Sequence, residues 1–344
     1  MKTIKDFNFR NKYVLVRCDF DVPVSRTGDI VDDFRIKQSI PTIKYLIKER
    51  ARVILISHLG RPKKRELRYS LKPVAQKLEK LLKQKVKFLN DCIGAKVKKE
   101  TEKMKPGEII LLENLRFYEE ETKRDLKFAE KLSQLADIYI NEAFAVCHRN
   151  HASLVDLPKF LPSGAGFLLE KEICVLGNLM KKAKKPLIVI IGGKKVETKA
   201  KLIDKISFRA NSLLINGLIQ KELKEKRISL KYPQKIIKPV DEIKGKDIGP
   251  KTIKLFRDKI KGAKTIFWNG PLGMIEKQEF SKGSKEIAKA IIKSPALSVI
   301  GGGETLKFLN EIGLLEKFNH ASVGGGAMLA FLSGEKLPGI KALK

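Results

Sequence analysis

Arginines and histidines recur in this chain just past short apolar runs, a pattern suited to binding anions. Tyr13-Val-Leu-Val-Arg17 leads into Cys-Asp-Phe-Asp-Val-Pro23, with Arg35 in the helix-like segment beyond. A second run, Arg52-Val-Ile-Leu-Ile-Ser57, ends in His58-Leu-Gly-Arg61, and a third yields Leu112-Glu-Asn-Leu-Arg116. A fourth yields Asn141-Glu-Ala-Phe-Ala-Val-Cys-His148-Arg149-Asn-His151. Guanidinium groups grip phosphate and carboxylate as bidentate forks. If the ends of these runs converge, Arg35, Arg61, Arg116 and Arg149 ring one pocket with His58, His148 and His151, a site for a small polyanion. Any one of them alone reads equally as a surface arginine or a capping histidine; four arginines at equivalent places argue for the pocket. A metal site made from the histidines is disfavoured, because no acidic ligand lies at a matching helical spacing.

The second half carries glycine loops instead. Ile191-Gly-Gly-Lys-Lys195-Val-Glu-Thr-Lys199 follows an apolar run and sets Lys195 and Lys199 on one helical face. Bare glycines let phosphate approach backbone N–H groups, and two ammonium groups neutralise it. The P-loop pattern G-x-x-x-x-G-K-[ST] is absent. Thr265-Ile-Phe-Trp-Asn269-Gly-Pro-Leu-Gly-Met-Ile-Glu276 adds a rigid turn, with Asn269 and Glu276 as hydroxyl partners. Ser298-Val-Ile-Gly-Gly-Gly-Glu-Thr305 and Ala321-Ser-Val-Gly-Gly-Gly326 supply two further loops. One glycine loop usually marks an ordinary turn; several in one half argue for a polyphosphate nucleotide with a metal. A small anion in one half and a nucleotide in the other imply phosphoryl transfer, where catalysis is mostly positioning and charge neutralisation. No general base stands out, and a carboxylate acceptor, ionised at neutral pH, would need none.

Elements in regular alternation must position these residues. The runs at 13–17, 52–57, 108–113, 138–141, 187–191, 212–215, 265–268 and 297–300 are almost continuously apolar, and helical patterns such as 71–82 and 128–135 lie between several of them. That alternation predicts parallel, helix-covered sheets, with ligands beyond the carboxyl ends of the strands. Pro and Gly cluster at 158–166, and 167–182 reads as one helix linking two lobes. A length of 344 residues fits about two domains.

Composition narrows the partners. Lys and Arg number 71 against 39 Asp and Glu, a formal charge of +32, so the field attracts anions in general. The lysines are scattered and the basic runs lack interleaved aromatics, which favours a solvated surface over a dedicated nucleic-acid patch. No apolar stretch is long enough to span a membrane, and the charged N-terminus has no signal-peptide core. Cys18, Cys92, Cys147 and Cys174 are far apart with no C-x-x-C pair, so neither disulfides nor zinc are expected, and a reducing cytoplasm fits.

From Val14 to Leu343 the chain resembles the phosphoglycerate kinase family. The landmarks, in order, are RCDFDVPV, SHLGRP, LLENLRF, NEAF with HRNHAS, GFLLEKE, GGKKVETK, DIGPKT, WNGPLGMIE, GGGET and GGGAMLAFLSGEKLPGIKAL. The resemblance implies two doubly wound, Rossmann-like α/β lobes: a substrate lobe over 1–166, a hinge helix over 167–183, and a nucleotide lobe over 184–324. Residues 325–344 would return to the first lobe. It implies reversible phosphoryl transfer between 1,3-bisphosphoglycerate and ADP, giving 3-phosphoglycerate and ATP with Mg2+, in a cytoplasmic monomer that needs neither membrane nor nucleic acid. By matching motifs, Asp19, Asp21, Arg35, His58, Arg61, Arg116 and Arg149 would hold the substrate. Arg35, Lys199 and the amides of Gly324, Gly325 and Gly326 would meet the phosphoryl group in transit. Gly193, Lys195, Lys199, Asn269, Pro271, Glu276, Gly302, Gly303, Glu304 and Thr305 would hold the nucleotide, Glu304 serving the metal.

Several positions depart from the family pattern. Asp21 stands where the family keeps Asn, Glu142 and Glu304 where it keeps Asp, Lys194 where it keeps Ala, and Val323 where it keeps Thr. Between Gly217 and Lys246 several dozen residues are missing, so the second lobe should be smaller and its base pocket more open. With the high positive charge, these departures leave a second reading: a non-catalytic relative that binds nucleotide or nucleic acid through its basic surface.

Overall fold

The structure, a computed structural model, describes residues 1–25, 27–194 and 196–343. Its contacts divide the chain into two units, Met1–Ile173 with Lys336–Lys344, and Cys174–Glu335. The helix Phe167–Lys182 crosses from one unit into the other. Among the described residues no helix is long and apolar enough to cross a membrane.

The first unit is built on β1 (Tyr13–Arg17), β2 (Arg52–Ile56), β3 (Val86–Phe88), β4 (Ile109–Leu111), β5 (Ile138–Asn141) and β6 (Ser163–Ala165). They pair in parallel in the order β3-β4-β2-β1-β5-β6. In β1 and β2 every residue after the first is buried, and in β4 and β5 all of them are, as expected for strands covered on both faces. The chain leaves β1 toward β2 on one side and returns at β5 on the other. The order therefore reverses beside β1, and a crevice opens at the carboxyl ends. Ser163–Ala165 lies inside the Pro/Gly-rich stretch and is a strand of this sheet.

The second unit contains β7 (Leu187–Ile191), β8 (Ser212–Ile215), β9 (Ile236–Ile237), β10 (Glu242–Ile243), β11 (Asp247–Ile248), β12 (Thr265–Asn269), β13 (Leu297–Gly301) and β14 (His320–Ser322). Six form a parallel sheet in the order β14-β13-β12-β7-β8-β9, while β10 and β11 make a small antiparallel pair. The reversal falls between β7 and β12. Their loops meet there: Gly192 N–H donates to Asn269 O at 2.9 Å, and Gly193 N–H to Pro271 O at 2.6 Å. A Cβ on Gly192 would fall 2.1 Å from Pro271 O, and one on Gly270 2.2 Å from Gly192 O. Those two glycines are thus required by loop-to-loop packing at the switch point.

Candidate active site

In the first unit the sequence-predicted basic residues gather at the carboxyl edge of the sheet. Arg61, Arg116, Arg149 and His151 line one cavity of about 490 Å³. Arg61 and Arg149 are exposed, whereas Arg116 is half-buried; its Nη1 donates to Gly60 O at 2.6 Å. The Arg116 Nε–H is buried with no hydrogen-bond partner among the described residues. Burial and the nearby Arg17 push the Arg116 guanidinium down to about 10, so it stays charged at neutral pH. His151 is pushed down to about 3 by burial and by Arg116 and Arg17, and is neutral.

The remaining predicted residues of this unit do not line that cavity, and Asp21 borders a separate one with Gly60 and Tyr69. Arg35 Nη1 donates to Asp19 Oδ2 at 2.6 Å, and this buried carboxylate holds the guanidinium above its usual pKa. Asp21 Oδ1 accepts from Gly60 N–H at 2.8 Å, which fastens the SHLGRP turn. Its acceptor role there is one an Asn oxygen could also fill, so the departure bears on the other oxygen, 3.7 Å from His58 Nε2. His58 is buried, and burial with Arg17 and Arg116 holds its pKa far below the usual value. Arg17 Nη2 lies 3.2 Å from His58 Nδ1; because guanidinium only donates, Nδ1 accepts and Nε2 carries the proton. His148 is half-buried one residue before Arg149.

Sequence reasoning missed what supports His58. Arg17 is fully buried at the end of β1, and its Nε donates to Ser153 Oγ at 3.0 Å. Ser153 in turn donates through N and Oγ to Glu121 at 2.9 and 2.6 Å. Glu121 lies 3.9 Å from Arg17, so both buried charges are compensated. The available signal was a charge ending an apolar run; its partners lie at sequence distances that no spacing rule reaches.

In the second unit the predicted residues surround the β7–β12 switch point and the end of β13. Lys199 is buried in the helix Val196–Ser207 and donates through Nζ to Gly192 O. Burial pushes its ammonium down to about 8, against the opposing influence of Glu304 and Glu222. Gly193 takes a φ of +75°, and Asn216 Nδ2 reaches its carbonyl at 3.5 Å. Asn269 is buried, Pro271 O accepts from Gly193 N–H, and Glu276 is exposed. Gly302, with a φ of +98°, precedes the helix Gly303–Glu311, whose first turn exposes Gly303 and Glu304. Thr305 is fully buried beside Gly302, and its Oγ1 has no hydrogen-bond partner among the described residues. Gly324 and Gly325 open the helix Gly325–Leu332, and Gly326 is exposed. Lys195 lies outside the described residues.

The family model "Phosphoglycerate kinase" matches residues 4–231 and 220–335. The chain belongs to the phosphoglycerate kinase family. It is 43% identical over 391 positions to the phosphoglycerate kinase of Borrelia garinii subsp. bavariensis, covering 100% of this chain and 99% of that protein. For the enzyme of Dictyoglomus turgidum the figures are 41% identity, 99% and 98%. The crystal structure of phosphoglycerate kinase from Pyrococcus horikoshii OT3 matches with a TM-score of 0.88 at 34% identity, covering 100% of this chain and 98% of that one. The structure of the Coxiella burnetii phosphoglycerate kinase matches with a TM-score of 0.82 at 32% identity, covering 99% and 98%.

Membership in the phosphoglycerate kinase family makes the chain a phosphotransferase with ATP and ADP as co-substrates. The comparisons lend no support to the nucleic-acid reading. An alignment of 391 positions exceeds the 344 residues of this chain, so the bacterial relatives carry residues that it lacks. The two matched stretches meet at 220–231, inside the segment expected to be short.

Proposed function

We propose that this chain transfers a phosphoryl group between the carboxyl group of 3-phosphoglycerate and ADP or ATP, as a monomer in the cytoplasm. The observation that carries the reading is the cavity lined by Arg61, Arg116, Arg149 and His151, with a buried Arg116 N–H unspent. Such forks suit a three-carbon acid bearing phosphate. Arg35, aimed by Asp19, is proposed to stabilise charge on the phosphoryl group in transit. Lys199 and the amides of Gly324, Gly325 and Gly326 are proposed to do so from the second unit. Gly193, Lys195, Asn269, Pro271, Glu276, Gly302, Gly303 and Thr305 are proposed to cradle the nucleotide. All four cysteines are free thiols, in keeping with a reducing compartment.

Magnesium is part of the proposal. Among the described residues no group of three or more His, Cys, Asp or Glu side chains could hold a metal. A lone exposed Glu304 at a phosphate loop fits Mg2+, which is commonly held by one or two carboxylates plus substrate phosphates. When bound, the ion would neutralise phosphate charge. The test is a coupled assay of ATP formation from 1,3-bisphosphoglycerate and ADP, with and without magnesium. Magnesium-dependent turnover that falls by about two or more orders of magnitude in Arg35→Ala is expected. No turnover in the folded wild type would refute the activity, and an unchanged kcat in Arg35→Ala would remove that residue's role.

A further inference from the structure

The turn after β2 carries Arg61, and among the described residues no helix or strand lies between Ile56 and Leu67 to hold it. A single side chain does so instead. Asn114, just past β4, is fully buried. Its Nδ2 donates to Leu59 O at 2.8 Å and to Tyr69 O at 2.9 Å. Its Oδ1 accepts from Leu59 N–H at 3.2 Å and from Arg116 N–H at 3.0 Å. An amide offers two donors and an oxygen with two lone pairs, so every one of them is used. The orientation follows from the partners, because a flipped amide would set its NH2 against two N–H groups and its oxygen against two carbonyls.

The same turn is held from further sides. Gly60 N–H donates to Asp21 Oδ1, and Gly60 O accepts from Arg116 Nη1. Gly60 has a φ of +63°, and a Cβ on it would fall 2.4 Å from Tyr69 Cε1, so the turn also packs against that ring. Asn114 is itself fastened: its N–H donates to Glu113 Oε1 at 2.8 Å, and Glu113 accepts from Ser70 Oγ and Leu71 N–H at 2.8 and 2.9 Å. Arg61 lies two residues beyond Leu59, and Arg116 two beyond Asn114. One amide therefore ties together the backbone at the root of two forks, both of which line the acid cavity. A ligand gripped at several points binds best when its forks are already spaced, since ordering long side chains on binding costs affinity.

We infer that Asn114 is a positioning residue that sets the spacing of Arg61 and Arg116, and with it the affinity for the phosphorylated three-carbon acid. The inference rests on the proposed substrate cavity and deepens it. Asn114→Ser separates the clasp from the local turn: a serine hydroxyl can still accept from Arg116 N–H but does not reach Leu59 or Tyr69. Titration calorimetry with 3-phosphoglycerate, and kinetics with 3-phosphoglycerate and ATP, compare this variant with wild type. Binding of 3-phosphoglycerate weakens and its KM rises by about tenfold or more, while kcat and the KM for ATP stay within about twofold, as when uniform binding is lost. Asn114→Thr fills more of the same space, behaves alike, and serves if the serine variant folds poorly. Leu46→Ala, a core truncation in the last turn of the helix Phe34–Lys48, controls for lost stability and keeps the wild-type KM. An unchanged KM for 3-phosphoglycerate in the Asn114 variants, or an equal rise in Leu46→Ala, overturns the inference while the kinase reading stands. A loss of kcat with matching rises in both KM values does the same. Wild type that binds no 3-phosphoglycerate overturns the acid cavity itself, and this inference with it.

Discussion

The charge of Lys199 is finely balanced. Its ammonium is buried and donates to Gly192 O, and burial brings its pKa to about 8 while Glu304 and Glu222 pull the other way. Above that pH the free enzyme loses the positive charge proposed to meet phosphate, so kcat/KM for the nucleotide should fall as pH rises through about 8. Glu222 accepts from Val196 N–H at 2.6 Å, and a glutamine can keep that bond without the charge. Removing a carboxylate that raises the Lys199 pKa lowers it. Glu222→Gln should therefore shift the alkaline limb to lower pH while leaving the plateau nearly unchanged. Kinetics over pH 6 to about 9.5 check this, and a limb that stays in place would detach Lys199 from the titration.

Between elements, two junctions make opposite demands. At the β7–β12 switch point, Gly270 has a φ of +87° and no room for a side chain. Gly270→Ala should destabilise the second unit by about 2–4 kcal/mol. Gly262→Ala, where a Cβ meets nothing within 4 Å, should be nearly neutral. Urea unfolding of both variants measures the difference. At the start of the helix Phe167–Lys182, Glu142 is fully buried and both its oxygens lie 3.1 Å from Leu168 N–H. Burial pushes its pKa up to about 8 from 4.5, so between those values the folded chain holds a proton that the unfolded chain releases. Its contribution to stability is thus greatest below about pH 4.5 and is lost as pH rises toward 8. Glu142→Gln carries no such proton, so its stability relative to wild type should climb between pH 5 and about 8, and a constant gap would contradict the buried neutral carboxyl. The sequence made the long apolar strands legible because burial on both faces leaves a continuous run. It hid Ser163–Ala165 and His320–Ser322, which are too short and mixed in polarity to carry a pattern. It likewise revealed the forks Arg61, Arg116 and Arg149 but not the Arg17–Ser153–Glu121 support, which exists only once distant segments fold together. The glycines at 192 and 270 announced a special loop, while their demand for loop-to-loop packing arises only where two segments distant in the chain meet.

Over the whole molecule the formal charge of +32 acts on every anion and on the chain itself. Most of these charges sit on exposed lysines, and ion pairs such as Lys123–Glu119 and Lys221–Glu225 are exposed, hence worth little individually. The surplus has two opposed effects: it draws anionic substrates toward the sites and makes the folded state repel itself. Salt weakens both, because the screening length falls from about 30 Å at 0.01 M to about 8 Å at 0.15 M. Raising NaCl over that range should therefore raise KM for both phosphorylated substrates and at the same time raise the thermal midpoint. The kcat should change little, since the groups proposed to touch the phosphoryl group act at contact distance. Kinetics and melting curves in the same buffers test the pair of trends together. If salt left KM unchanged while stabilising the fold, the surplus charge would act on the chain alone and have no part in gathering substrate.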